Sequence, residues 1–388
     1  MFRRPAALVV TLVALVCLVV VGCTPAEPTT PTTPTTPTTP TTPTTPTTPS
    51  QPADKVFKWR VQSPYPESLV YHQDLIRMGK MIEQMSGGRL IITPYSSGGI
   101  VPAYEELDAA ASGALDASCG GFSEHRNRMG PVVDLFTQYA GGLTAPEFHS
   151  WYFEGNQEGI KFVRELYKDL NVYFVSPSTS AGAENEMWSN RKLQSAADYR
   201  GLKIRTYGDW GKILVNFGAS VVTMAGSELY PAMERGVIDA LEYSTPAIDR
   251  GMAFWEVADY LHYPGIHSPG VLGGAFFVNQ QKWNELPDDL KHIVTVACEY
   301  TTRKGYATDK YNSGEALAFY QTQGVELVRL PDALMVQIVK ACDDMWGDYA
   351  DEDSFFKTVW DSQKAFQGRW ASSLMVEPDV QRIRAMIS

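Results

Sequence analysis

Arg205 closes the short run Gly201-Leu202-Lys203-Ile204-Arg205, just ahead of a loop and a helix start. A guanidinium there can grip a carboxylate through two parallel, charge-assisted hydrogen bonds, which the point charge of lysine does not reproduce. An arginine at a strand end reads equally well as a surface residue. Glu242 follows the apolar run Val237–Leu241, where a bare carboxylate is costly unless a cation or hydrogen bonds compensate it. Tyr243 beside it and Phe122 far upstream offer apolar walls with one polar handle, although such rings serve core packing as readily. The chain contains no GxSxG, HExxH or P-loop, and no GxGxxG after a strand. Its six histidines are scattered, with His262 and His267 the only close pair, at a spacing no common zinc motif uses. The chemistry written here is recognition of an anion. The competing reading is a secreted hydrolase or lyase that uses Glu242 and His267 as an acid–base pair.

Alternating strand and helix patterns position these residues. Val56–Val61 reads as a strand ended by Pro64 and Pro66, and Leu75, Met78, Ile82 and Met85 mark a helix stopped by Gly87-Gly88. Leu90-Ile91-Ile92 is a strand, Tyr104–Ser112 a helix capped by Gly113, and Ala114–Ala117 a buried strand. The second half repeats this logic. Strands at 201–205, 219–223 and 237–241 alternate with helices at 210–217 and 229–235, and Gly236 is a second cap. The phrase Gly-x-Leu/Ile-Asp-Ala occurs in both halves, as Gly113–Ala117 and Gly236–Ala240. Its endings differ: Ser118-Cys119-Gly120-Gly121-Phe122 in one, Glu242-Tyr243-Ser244 in the other. The shared part reads as scaffold, with Asp116 and Asp239 as backbone partners, and the endings read as binding surface at the carboxyl ends of strands. The order predicts an α/β fold of two lobes with mainly parallel sheets. Pro287 opens a stretch without proline that reaches Gly324, long enough for a bracing helix kinked or divided at Gly305 and Gly314.

The remaining composition places the module outside the cytoplasm. Arg3 and Arg4 precede an uncharged apolar run, Ala6–Val21, a secretory signal pattern too short for a comfortable membrane span. From Pro28 to Pro49 every third residue is proline, an extended spacer reaching on the order of 70 Å. The net charge of −11 argues against nucleic acid. With Cys17 in the signal and Cys23 acylated, an odd three cysteines remain, without a CxxC, so no disulfide framework or zinc ribbon is signalled.

Val20-Val21-Gly22-Cys23 resembles the lipobox of bacterial lipoproteins, which implies cleavage before Cys23 and its lipidation. That segment, Met85–Leu90, Leu202–Arg205, Ile238–Tyr243 and Tyr263–Gly270 together resemble the solute-binding proteins of tripartite ATP-independent periplasmic (TRAP) transporters, the DctP family, nearest the branch taking α-keto acids and lactate. The resemblance covers about Val56 to Val328. It implies an extracytoplasmic binding protein, not an enzyme, with the two-lobe fold of periplasmic binding proteins (type II-like), hinge strands and a long bracing helix. The expected bounds are 1–22 for the signal peptide, 23–54 for the lipidated cysteine and stalk, and 55–388 for the binding module. Within the module, the first lobe covers about 55–177 plus 266–290 and the second about 178–265 plus part of 320–370, with the long helix at about 287–323. Arg205 matches the family arginine that pairs with the substrate carboxylate. Glu242 and Tyr243 match the positions that help hold a cation bridging to the substrate.

Glu184 stands at the place of a family glutamine that also contributes, with Asn185 or Glu186 fitting after a shift of one or two residues. Glu184 and Glu242 facing one site would repel unless a cation lay between them, and two carboxylates favour Ca²⁺ over Na⁺. Tyr65 and His267 complete the expected substrate contacts. Ile266 replaces a tryptophan more usual in the branch, which implies a roomier pocket. The expected partners are a small keto- or hydroxy-carboxylate, TRAP-type membrane subunits, and the membrane through the lipid. A ligand-sensing lobe for a signalling receptor is the neighbouring alternative.

Overall fold

The computed structural model describes residues 55–374, so the expected signal peptide, Cys23 and the proline-rich stalk lie outside the described residues. In chain order the strands are β1 (Phe57–Gln62), β2 (Leu90–Tyr95), β3 (Ala117–Gly120), β4 (Val172–Ala181), β5 (Met187–Ser189), β6 (Lys203–Arg205), β7 (Ser220–Val222), β8 (Ala240–Leu241), β9 (Tyr260–His262), β10 (Val271–Asn279) and β11 (Glu326–Val328). They form two sheets, ordered β2-β1-β3-β10-β4 and β11-β9-β5-β8-β6-β7. Each sheet is the centre of a lobe.

Both sheets are mixed. β1 runs parallel to β2 and β3, and β6 parallel to β7 and β8, but β10 is antiparallel to β3 and β4, and β5 to β8 and β9. The chain leaves the first sheet through β4 and re-enters it through β10, so these two strands meet head to tail. The first sheet therefore takes in all of β4, and the switch to the second sheet falls after Ala181 and not at 177/178. All nine residues of β10 are buried, as expected of a central strand covered on both faces.

The repeated phrase makes the same contacts in each lobe. Gly113 (φ 84°) and Gly236 (φ 65°) turn the chain in the left-handed region after a helix, a conformation that costs glycine nothing. The Arg60 amide donates to Asp116 Oδ2 at 2.8 Å, and the Lys203 amide to Asp239 Oδ2 at 2.8 Å. Val61 lies beside Ala117 and Ile204 beside Ala240. In this register Arg205 of the second lobe corresponds to Gln62 of the first. Gln62 donates to the Val101 carbonyl and to Glu106 and accepts from the Ile100 amide, so the equivalent strand tip there is committed to holding a loop.

The long helix runs unbroken over Asp288–Thr322, 35 residues, past both Gly305 and Gly314. It packs on β4 and on the Val70–Met85 helix of the first lobe, and on the Pro246–Asp249 helix of the second. Gly305 does not break it because its role is close approach: a Cβ there would lie 2.8 Å from the Ser180 carbonyl oxygen. Four residues on, Asp309 accepts from the Thr245 hydroxyl at 2.7 Å and the Gly182 amide at 2.9 Å, pinning the exit of β4 to the second lobe. The helices Asp332–Glu352 and Ser354–Leu374 add Leu334, Ile338, Trp346 and Phe356 to a core that also holds Phe122, Phe136, Ile204 and Trp210. Cys119, Cys298 and Cys342 are buried and free.

Candidate functional site

The site is built on three segments that meet behind the ends of β6 and β8. Glu184 lies on the turn between β4 and β5. Its amide donates to the Ser268 carbonyl at 3.0 Å, and the next two amides donate to the carbonyls of Ser244 (2.8 Å) and His262 (2.9 Å). These bonds stitch the turn to the Glu242–Ser244 segment after β8 and to the Tyr263–Gly270 loop before β10. Glu184 and Glu242 project side chains into the space so enclosed, and both are buried.

Asn185 and Glu186 turn elsewhere. Asn185 Nδ2 donates to Asp249 Oδ2 at 2.7 Å, which also accepts from Trp188 Nε1 at 2.8 Å. Burial lifts the Asp249 carboxyl to about 7 against these hydrogen bonds. Glu186 Oε2 accepts from the Ile266 amide at 2.7 Å and faces His267 Nδ1 at 3.2 Å, so this carboxylate orients the imidazole. The other face of His267 stacks on Trp210, 5.5 Å between centroids at 22°.

His267 is the electrostatic centre. Its Nε2 lies 3.4 Å from Glu184 Oε2 and 3.8 Å from Glu242 Oε2. Burial alone lowers an imidazole, but the close carboxylate of Glu184, the hydrogen bond to Glu186 and the charges of Glu186 and Glu242 outweigh it and push His267 up to about 10. It is an imidazolium at neutral pH. Burial raises the Glu242 carboxyl, which His267 and Arg205 pull back down. Arg205 is buried too: Nη1 donates to the Glu242 carbonyl at 2.5 Å and lies 3.5 Å from Oε1, with the rings of Tyr207 and Tyr243 5.7 and 5.9 Å away.

Two cavities adjoin this cluster. One, about 170 Å³, is lined by Gln138, Glu184, Tyr207, Trp210, Glu242 and His267 among others. The second, about 410 Å³, shares Ser123, Gln138, Glu184 and Tyr207 with the first and adds Tyr65, Tyr71, Glu124 and Tyr243. The structure thus brings Arg205, Glu184, Glu242 and His267 to one point, with Tyr65 and Tyr243 on the larger cavity.

Three expectations are corrected. Phe122 is fully buried among Phe136, Tyr167, Phe174 and Phe277; the turn after Gly121 sends it into the core and presents Ser123 and Glu124 instead. Ile266 lines an outer groove with Gly141 and Met335, because the carbonyl and amide on either side of it are tied to Gly141 and Glu186, so its size does not set the room in the site. The Tyr243 hydroxyl lies over Gly226 and its ring beside Phe254, so its side chain is a wall and its hydroxyl is not a cation ligand. Sequence reasoning named Glu186 only as an alternative to Glu184 and missed Tyr207, Trp210 and Glu124. The signal for the first was three consecutive polar residues, 184–186, between two apolar strands; the others are marked only by their neighbours in space.

The residues fit a hard cation. Ligand atoms of Glu184, Glu242 and His267 lie within 4.8 Å of one another. The two carboxylates supply oxygen donors of the kind Ca²⁺ and Na⁺ take, whereas a protonated His267 cannot ligate. The formal charges favour the divalent ion. Three carboxylates against His267 and Arg205 leave one negative charge, which Ca²⁺ and one monocarboxylate together bring to neutrality without remainder.

Residues 62–353 match the family model described as bacterial extracellular solute-binding protein, family 7 (DctP). The monocarboxylate 2-oxoacid-binding periplasmic protein of Nostoc sp. is 31% identical over 314 residues, 80% of this chain and 84% of that one. A TRAP periplasmic solute-binding protein of Colwellia psychrerythraea, solved with bound calcium and pyruvate, superposes with a TM-score of 0.74 at 27% identity, covering 86% of this chain and 99% of its own. One from Pseudoalteromonas atlantica, with bound sodium and pyruvate, gives 0.71 at 28% identity over 82% and 96%.

Proposed function

The chain belongs to the family 7 bacterial extracellular solute-binding proteins, the TRAP receptors, and we propose that it captures a 2-oxo- or 2-hydroxy-monocarboxylate as a calcium complex held by Glu184 and Glu242. The observation that carries this reading is the convergence of Glu184 and Glu242 beside two buried cations, Arg205 and His267, which with Glu186 behind the imidazole makes three carboxylates against two cations and leaves one negative charge over. A hard cation held by Glu184 and Glu242 would supply the positive charge that an anionic ligand needs in this site. In the ion-free site His267 and Arg205 neutralise the two glutamates. With a cation held by the two glutamates, the guanidinium of Arg205, 3.5 Å from Glu242 Oε1, would be free to grip the ligand carboxylate as a two-pronged donor. Tyr65 and Tyr243 wall the ligand, and Glu186 and Asp249 keep the surrounding loops in register.

The receptor delivers its acid to TRAP membrane subunits. Among the described residues no helix is long and apolar enough to cross a membrane. The Val-Val-Gly-Cys segment and the Pro/Thr run support anchoring by lipid at Cys23, with a spacer that holds the binding module clear of the surface. Mass spectrometry of small molecules released from freshly purified protein, with metal analysis of the same sample, tests the reading. One equivalent of an organic acid with one of calcium is expected. A bound sugar or amine, without metal, would refute it.

A further inference from the structure

The larger cavity is more room than a short acid needs once its carboxylate and 2-oxygen sit at Glu184 and Glu242, and its walls have a definite chemistry. Five tyrosines line it, Tyr65, Tyr71, Tyr104, Tyr207 and Tyr243, and among the described residues no lysine, arginine or histidine does. Tyr65 and Tyr71 form a tilted pair, 5.3 Å between centroids, and the Tyr65 hydroxyl donates to the Gly273 carbonyl at 2.8 Å, so their rings are fixed. Tyr104 is 67% exposed and has φ of 73°, a backbone conformation that is strained for a tyrosine at a rim where it packs no core. Glu124 also lines the cavity, while Glu184 marks the end shared with the smaller one.

Resting on the oxoacid reading above, we infer that the acid taken by this protein carries an aryl side chain with an uncharged hydrogen-bonding group at its end, seated in the tyrosine-lined cavity and met by Glu124. Flat rings offer offset and edge contacts to an aromatic guest. A second carboxylate on the ligand would lose its water in a cavity that, among the described residues, no cationic side chain lines, so dicarboxylic oxoacids are disfavoured. Burial, with a further push from Glu106, lifts the Glu124 carboxyl to about 8 against its bonds to Tyr65 and the Gly121 amide. At neutral pH it therefore keeps its proton and serves as a donor.

The test is calorimetric titration of the calcium-loaded protein with pyruvate, phenylpyruvate, 4-hydroxyphenylpyruvate and 2-oxoglutarate. Phenylpyruvate is expected to bind at least about tenfold tighter than pyruvate from buried apolar area, and the 4-hydroxy compound about 3–10-fold tighter again through its hydrogen bond. Glu124→Leu should abolish that last ratio, and Glu124→Gln, which still donates, should keep it. Tighter binding of pyruvate or 2-oxoglutarate than of either aryl acid would overturn the inference and leave the oxoacid reading standing. An unchanged hydroxyaryl-to-aryl ratio in Glu124→Leu would overturn the role of Glu124. Failure of every oxoacid to bind would overturn both readings together.

Discussion

At the residue scale the account turns on charge held out of water. His267 gains its proton from its neighbours: its unfolded value lies near 6.5, and in the ion-free folded protein it is about 10. A raised folded value contributes stability in full below about pH 6.5, and that contribution is lost as pH rises through about 10. In chelator-treated protein the melting-temperature gap between wild type and His267→Gln should therefore shrink as the pH is raised from about 7 to 10; a gap constant with pH contradicts the assignment. Arg205→Lys should weaken oxoacid binding about tenfold or more, equivalent to about 1.4 kcal/mol, because a point charge replaces a fork. Affinity within a factor of two of wild type would remove Arg205 from ligand contact. Arg205 and Glu242 were legible in the sequence as a cation at a strand end and a charge after a buried strand. Phe122 was not, since period-two alternation does not distinguish a cavity wall from a core once the chain turns at Gly121. Trp210, stacked on His267 from a distant helix, leaves no local trace.

At the element scale the repeat explains how one unit yields both scaffold and site. Two aspartates tie the preceding strand in the same way in each lobe, and two left-handed glycines end the preceding helix in the same way. What differs is the next strand tip, Gln62 in one lobe and Arg205 in the other. The helices and strands of the two repeated units were legible from periodicity and glycine stops, whereas the helices Ala145–Phe153, Glu158–Tyr167, Asp332–Glu352 and Ser354–Leu374 were not. The antiparallel return of β10 was not, because strand direction depends on where the chain re-enters a sheet. Nor was the unbroken Asp288–Thr322 helix, since a glycine signals a break unless its close neighbour is known. Gly305→Ala tests that contact. An alanine gains about 1 kcal/mol in helix propensity, but its methyl group would press on the Ser180 carbonyl oxygen at 2.8 Å and the Asp74 carboxylate at 2.9 Å, an overpacking that costs about 1–3 kcal/mol. Net destabilisation in urea unfolding is expected; a stabilised variant contradicts the close approach.

At the scale of the whole molecule, binding proteins of this architecture work by closure around a ligand, which the ligand drives by contacts available only in the closed form. Here one ion-pair network bridges the lobes at the mouth of the smaller cavity. Arg126, after β3, pairs with Asp134 of its own lobe and with Asp209 at 2.7 Å in the other, and Asp209 accepts from Tyr349 of the C-terminal helices at 2.9 Å. Asp209 is buried but Arg126 and Asp134 are partly exposed, so the network contributes modestly and is screened by salt. Arg126→Ala should speed ligand release about 3–10-fold in stopped-flow displacement, with a smaller effect on association; an unchanged release rate means that the pair does not hold the closed form. The central claim is that Glu184 and Glu242 hold a cation which in turn holds the acid. Calorimetric titration of calcium-free protein with pyruvate, repeated at saturating calcium, tests it most directly. The account predicts little or no heat of binding without the ion and a saturable one-to-one isotherm with it, whereas equal affinity in both states would contradict it.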